Sequence, residues 1–86
     1  MEIILLDDAQ DDLDYWKKSG KVNILKKIRT LLESIQETPF EGIGKPEGLK
    51  HNLSGLWSRR IDRGNRLIYE VTSDIVYVHS MKGHYE

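Results

Sequence analysis

Cysteine is absent from this chain of 86 residues. That excludes disulfides and thiolate metal ligands and fits a reducing compartment, so a cytoplasmic location is expected. No apolar run approaches the roughly 20 residues needed to cross a bilayer. The start, Met1 to Asp8, lacks the basic region of a secretory leader, and its apolar run is too short for one. No membrane association is therefore expected. Histidine is scarce too: His51, His79 and His84 are dispersed without ligand spacing, so neither a metal nor another cofactor is expected. Net charge is nearly absent, at −1, which by itself argues against a nucleic-acid binder.

What is present argues otherwise. Residues 1–44 carry six basic and nine acidic side chains, whereas residues 45–66 carry six basic (Lys45, Lys50, Arg59, Arg60, Arg63, Arg66) and two acidic (Glu47, Asp62). A local charge of +4 can attract phosphates whatever the total.

The length gives a single domain, residues 1–86, that buries roughly 60% of its unfolded surface. Glu2 to Leu6 reads as a strand covered on both faces. Asp7 or Asp8 is placed to cap the helix that follows. Ala9, Leu13 and Trp16 mark its buried stripe, and Ser19-Gly20 ends it. A second helix runs from about Val22 to Glu37, with Leu25, Ile28, Leu32 and Ile35 inward and Lys26, Lys27, Arg29 and Glu33 outward. Thr38-Pro39 stops it.

Residues 38–55 form a loop too long to be idle in so small a domain. Leu49 and Leu53 suggest that it is pinned. Three strands follow: Leu56–Asp62, Arg66–Thr72 and Ile75–Met81. The turn Asp62-Arg63-Gly64-Asn65 offers two residues able to take positive φ, and Thr72-Ser73-Asp74 makes the next. The expected fold is α+β, ordered β-α-α-β-β-β. It has a small, mainly antiparallel four-stranded sheet and two helices on one face. Leu67, Tyr69 and Val71 share the core face, which sends Arg66 to the open one. Trp57 and Ile61 likewise leave Ser58 and Arg60 open, so Arg60 and Arg66 are expected to converge. The third strand alternates ambiguously.

Three segments carry chemistry. Glu47 sits among cations in Lys45-Pro46-Glu47-Gly48-Leu49-Lys50-His51. Arg66 opens a strand. His84 lies in the terminal Lys82-Gly83-His84-Tyr85-Glu86, where it has few packing duties. A carboxylate, a guanidinium and an imidazole suffice to cleave RNA without a metal. One takes the 2′-hydroxyl proton, one meets charge gathering on phosphorus, and one protonates the leaving oxygen. The duller readings are a loop carboxylate paired with Lys45 or Lys50, a surface partnership of Arg66 with Glu70, and a frayed terminal histidine. His51 and His79 have no evident partner and read as structural.

The run Pro39-Phe40-Glu41-Gly42, Gly44-Lys45-Pro46-Glu47, Leu49-Lys50-His51-Asn52-Leu53-Ser54-Gly55, Trp57-Ser58-Arg59-Arg60-Ile61, Arg66-Leu67-Ile68-Tyr69 and His84-Tyr85 resembles the YoeB/Txe family. These are toxins of bacterial type II toxin–antitoxin systems in the RelE/ParE-like superfamily. The helix signature Asp11-Asp12 with Tyr15-Trp16 extends the resemblance over nearly the whole chain. It implies a RelE-like fold and an endoribonuclease cleaving messenger RNA in the ribosomal A site. The implied partners are the ribosome and a cognate antitoxin of the YefM/Axe type, with a homodimer also open.

By the same resemblance Glu47 is the general base, Arg66 the phosphate-stabilising residue and His84 the general acid. Lys45, Lys50 and Arg60 would bind phosphate, and Tyr85 would orient the site or the base. The chain departs from the family pattern at Asn65, at Gly48 and in the additional Glu86. An alternative of another class is a non-catalytic ParE-like toxin inhibiting a protein target such as gyrase, which would not need Glu47, Arg66 and His84 together.

Overall fold

The computed structural model describes residues 1–83. Its elements are β1 (Glu2–Leu5), α1 (Asp7–Ser19), α2 (Val22–Glu37), β2 (Glu47–Gly48), a 3₁₀ turn at His51–Leu53, β3 (Trp57–Asp62), β4 (Asn65–Thr72) and β5 (Ile75–Ser80). The sheet runs β1-β5-β4-β3-β2. β1 lies parallel to β5 and the other pairings are antiparallel. The expected α+β, mainly antiparallel architecture is thus present with five strands instead of four. The additional strand, β2, pairs Glu47 with Ser58 and Gly48 with Trp57. Two residues are too few to carry a period, so the sequence hides this strand in the long loop.

Both helices pack on one face. Ala9 and Trp16 of α1 and Ile28, Leu31 and Ile35 of α2 join Ile61, Leu67, Tyr69, Val76, Val78 and Met81 in one buried cluster. α2 has no side-chain N-cap, no acid in its first turn and no base in its last. Its stability therefore rests on burial, at about 1.5–3 kcal/mol for each large apolar side chain.

α1 differs in detail from the expectation. Leu6 occupies its N-cap without a side-chain bond, and Asp7 and Asp8 lie in the first turn, where they meet the positive end of the helix. Gly20, at φ 71°, closes α1 in the left-handed conformation. β1 is an edge strand, half-buried from Ile3 to Leu5, and not covered on both faces.

The ambiguous alternation of β5 has a structural cause. Tyr69 pairs with Val78, but Ile68 pairs with Ser80, leaving His79 as the additional residue of a bulge. The inward positions switch parity there: Val76 and Val78 point to the core before the bulge, and Met81 is fully buried after it. The β3–β4 turn also forms differently from expectation. Neither Gly64 nor Asn65 adopts positive φ. Instead Asp62 Oδ1 accepts from the Gly64 N–H (2.9 Å) and from Asn65 Nδ2 (3.0 Å), an Asx-type closure.

Candidate active site and anion cleft

The site begins with cross-strand register. Arg60 of β3 lies directly opposite Arg66 of β4, and two steps along, Ser58 lies opposite Ile68. Leu67 and Tyr69 point into the helix-covered core, so Arg66 projects from the other face. β2 brings Glu47 beside Ser58 on the far side of β3. The result is a cleft of about 400 Å³ lined by Lys45, Pro46, Glu47, Ser58, Arg60 and Arg66. Strand parity leaves Ser58 open; it is instead 3% exposed and forms part of the floor.

Arg66 is held in place. Its Nη1 donates to the carbonyls of Asp62 (3.0 Å), Asn65 (3.3 Å) and Arg63 (3.4 Å), all on the turn it leaves. Among the described residues its Nε and Nη2 carry no bond, which leaves one edge of the fork for a two-oxygen acceptor. Glu70 does not pair with Arg66. It meets His79, whose Nε2 lies 2.7 Å from Glu70 Oε1, so His79 has the partner that the sequence does not reveal.

The loop that carries Lys45 and Glu47 is fixed by a buried cation. Arg59 counts with the basic surface when the sequence alone is read, but it is fully buried. Its Nε donates to the Tyr69 hydroxyl (3.1 Å). Nη1 donates to Ser34 Oγ (2.7 Å) and the Ile43 carbonyl (3.2 Å), and Nη2 to the carbonyls of Thr38 and Glu41 (both 2.7 Å). All five guanidinium donors are used, and every acceptor is neutral. Two of them, Ser34 and Thr38, lie at the negative C-terminal end of α2, which favours a cation.

Tyr69 passes the connection on, donating to the Pro39 carbonyl at 2.6 Å. Burial pushes the Tyr69 hydroxyl pKa upward, against a smaller lowering by Arg59. Farther along, the Leu49 N–H donates to the Leu56 carbonyl (2.9 Å), and the Leu49 side chain is buried. Lys45 and His51 sit at φ 52° and 60°. Two non-glycine residues in the left-handed region thus bracket Glu47, at a typical cost of about 1 kcal/mol or more each.

Lys50 is exposed and lines a separate hollow with Glu47, Leu49 and His51. It does not line the Arg60–Arg66 cleft. His84 and Tyr85 lie outside the described residues. The chain leading to them is anchored twice. Asp12 Oδ2 accepts from the Met81 N–H and Trp16 Nε1 donates to the Met81 carbonyl, each at 2.8 Å. Then Asn65 Oδ1 accepts from the Gly83 N–H (2.8 Å) while the Arg66 N–H donates to the Gly83 carbonyl (3.0 Å). Asn65, one of the departures from the family pattern, holds Gly83 beside Arg66.

Lys27 escapes sequence reasoning. The helical period turns it outward on α2, yet it is half-buried. It lines a second cleft, of about 560 Å³, with Gly44, Lys45, Arg60, Ile61, Asp62, Arg63 and Arg66. No period can show this, because the cleft lies at the end of the sheet where α2, the loop and the β3–β4 turn meet.

Three comparisons bear on this arrangement. Residues 6–85 match the model of a family described as YoeB-like toxin of bacterial type II toxin-antitoxin system. The chain is 48% identical over 85 residues to the toxin YoeB of Escherichia coli K12, covering 99% of this chain and all of that protein. Among solved structures, a YoeB/ParE toxin from Agrobacterium tumefaciens superimposes with a TM-score of 0.94 at 33% identity, over 99% of this chain and all of the other. Staphylococcus aureus YoeB, 42% identical over 99% of this chain and 98% of its own, superimposes as a dimer (TM-score 0.89) and in a heterotetrameric YoeB–YefM complex (0.88).

Proposed function

The chain belongs to the family of YoeB-like toxins of bacterial type II toxin–antitoxin systems, and from that membership we propose that it is a metal-independent endoribonuclease acting on messenger RNA at the ribosome. The observation that carries the reading is one cleft lined by a carboxylate residue, Glu47, together with two arginines paired across β3 and β4, Arg60 and Arg66. A site built only to bind phosphate gains nothing from a carboxylate at its edge; a site that must deprotonate a hydroxyl beside a phosphate needs one.

In the proposed reaction Glu47 takes the proton of the 2′-hydroxyl. The 2′-oxygen bonds to the adjacent phosphorus, and the phosphorus–O5′ bond breaks. The departing 5′-oxygen receives a proton from His84, giving a 2′,3′-cyclic phosphate and a 5′-hydroxyl. Arg66, tethered through Nη1, offers Nε and Nη2 to the oxygens as their charge grows. Arg60 and Lys45 hold the phosphate. The required 2′-hydroxyl makes RNA, and not DNA, the substrate.

Staphylococcus aureus YoeB is known in complex with YefM and as a dimer. By kinship this chain takes a YefM-like antitoxin, whose acidic segment would cover the basic face, and the same kinship supports a homodimer. The setting of such a reaction is the cytoplasm.

The test is single-turnover cleavage of a translated message, measured beside ribosome affinity. Glu47→Gln and His84→Gln should each lower the bound-state rate by about 10²–10⁴-fold while leaving affinity nearly constant. Parent-like rates in both variants would sink the endoribonuclease reading and favour a toxin that acts by binding a protein.

A further inference from the structure

The cleavage cleft uses only part of the positive surface. Its larger neighbour, about 560 Å³, shares Lys45, Arg60 and Arg66 with it and adds Lys27 and Arg63. Five cationic residues therefore line one cavity against a single carboxylate, Asp62. That carboxylate is committed to the turn, since its Oδ1 accepts from both the Gly64 N–H and Asn65 Nδ2. Among the described residues neither Lys27 nor Arg63 forms a side-chain hydrogen bond or ion pair.

The two come from different elements, α2 and the β3–β4 turn, so no helical or strand repeat brings them together. The loop beside them is tied to β3 by a backbone bond. The carbonyl of Gly44, a residue at φ 81°, accepts from the Arg60 N–H (2.6 Å). A Cβ at Gly44 would lie 2.7 Å from Leu31 Cδ2, so the loop is pressed against α2 there.

Five converging cations against one carboxylate leave a net positive charge, which raises the local potential and favours a polyanion. The cavity adjoins the cleavage cleft at the shared Arg60 and Arg66. We propose that it is a second RNA-phosphate subsite, in which Lys27 and Arg63 take a phosphodiester lying next to the one held by Arg60 and Arg66. The inference rests on the RNA-substrate reading above and adds a place where RNA is gripped beside the bond that breaks. Arg63 is exposed at the cavity rim and Lys27 half-buried at its side, so the phosphate would be held between two flexible cations over a fixed floor. Cations that grip phosphate in this way set register and affinity, not base preference.

The phosphate could belong to the message or to ribosomal RNA, and two assays separate these. In the first, the protein binds short RNA oligonucleotides 2′-O-methylated throughout, with one phosphate or with a second on the 5′ or 3′ side. These cannot be cleaved, so the result is independent of whether Glu47 acts as a base. The second phosphate should tighten binding to the parent about fivefold or more, and the Lys27→Ala/Arg63→Ala double variant should lose most of that gain. Its salt slope should fall by about 0.7 for each phosphate that is no longer neutralised. In the second assay, ribosome affinity is measured for the same proteins and for Arg63→Glu, with thermal melts confirming that all are folded.

Loss of the oligonucleotide gain assigns the subsite to the message. A loss confined to the ribosome assay assigns it to ribosomal RNA. If parent and variants show the same gain, the same salt slope and the same ribosome affinity, the proposal is overturned.

Discussion

Arg59 and Tyr69 show how one pair of side chains can hold the loop of a candidate active site from inside the core. A buried guanidinium without a carboxylate is costly to desolvate, and here five neutral acceptors and the end of α2 offset that cost. Lysine could not replace it, having three donors and no planar fork. The partner Tyr69 adds a pH limit. Its folded pKa stands above the ordinary 10.0 because of burial. The neutral hydroxyl therefore contributes its full stability below about pH 10, and that contribution is lost as pH rises through the raised folded value. Urea melts at pH 8 and pH 11 should show the parent losing more stability across that interval than Tyr69→Phe. The phenylalanine variant should already be weaker at pH 8 by about 1–3 kcal/mol, since the Pro39 carbonyl loses its donor. Equal alkaline losses in both proteins would refute the assignment.

At the level of elements, the site depends on irregularities. The bulge at His79 reverses the parity of β5, which buries Met81 where a regular strand would have turned it outward. The two-residue β2 delivers Glu47 to β3. The loop before it is seated by Gly44, where positive φ and a near approach to Leu31 both exclude a side chain. Gly44→Ala should therefore cost about 1–2 kcal/mol for the backbone alone, and more where Leu31 cannot yield. Thermal denaturation measures the cost. The mechanism predicts that it exceeds the cost of Gly64→Ala, since Gly64 has neither positive φ nor a close neighbour. A reversed order would mean that the loop is not seated as described.

Across the whole molecule, α1 and the β3–β4 turn hold the segment that follows β5, although α1 lies far from that segment in the sequence. Asp12 and Trp16, one helical turn apart, grip the N–H and the carbonyl of Met81. Asn65 and the Arg66 N–H grip Gly83 in the same manner. Asp12→Ala should lower stability by about 1–2 kcal/mol by orphaning the Met81 N–H. Asp12→Asn should recover most of it, because an amide oxygen still accepts. Denaturant melts of the two variants decide the point. If Asn fares no better than Ala, the carboxylate acts through its charge and not through this bond.

The sequence by itself determined the two helices and the strand meander, because their apolar residues recur at 3.6 and at 2. It also determined that Arg66 leaves the core face, since Leu67, Tyr69 and Val71 claim the other. Arg60 and Arg66 were legible as a pair through strand parity, and Glu47 joined them only through family resemblance. Only the tertiary structure decided which cations face solvent. Arg59 and Arg60 are chain neighbours of identical formal charge, yet one is the fully buried hub and the other lines the cleft. It also decided that Lys27 reaches the cleft, that Lys50 does not, and that His79 pairs with Glu70. The physical reason is the same throughout. Periodicity reports the face on which a residue lies within its own element, whereas a loop seating, a bulge or a meeting of three elements depends on partners distant in sequence.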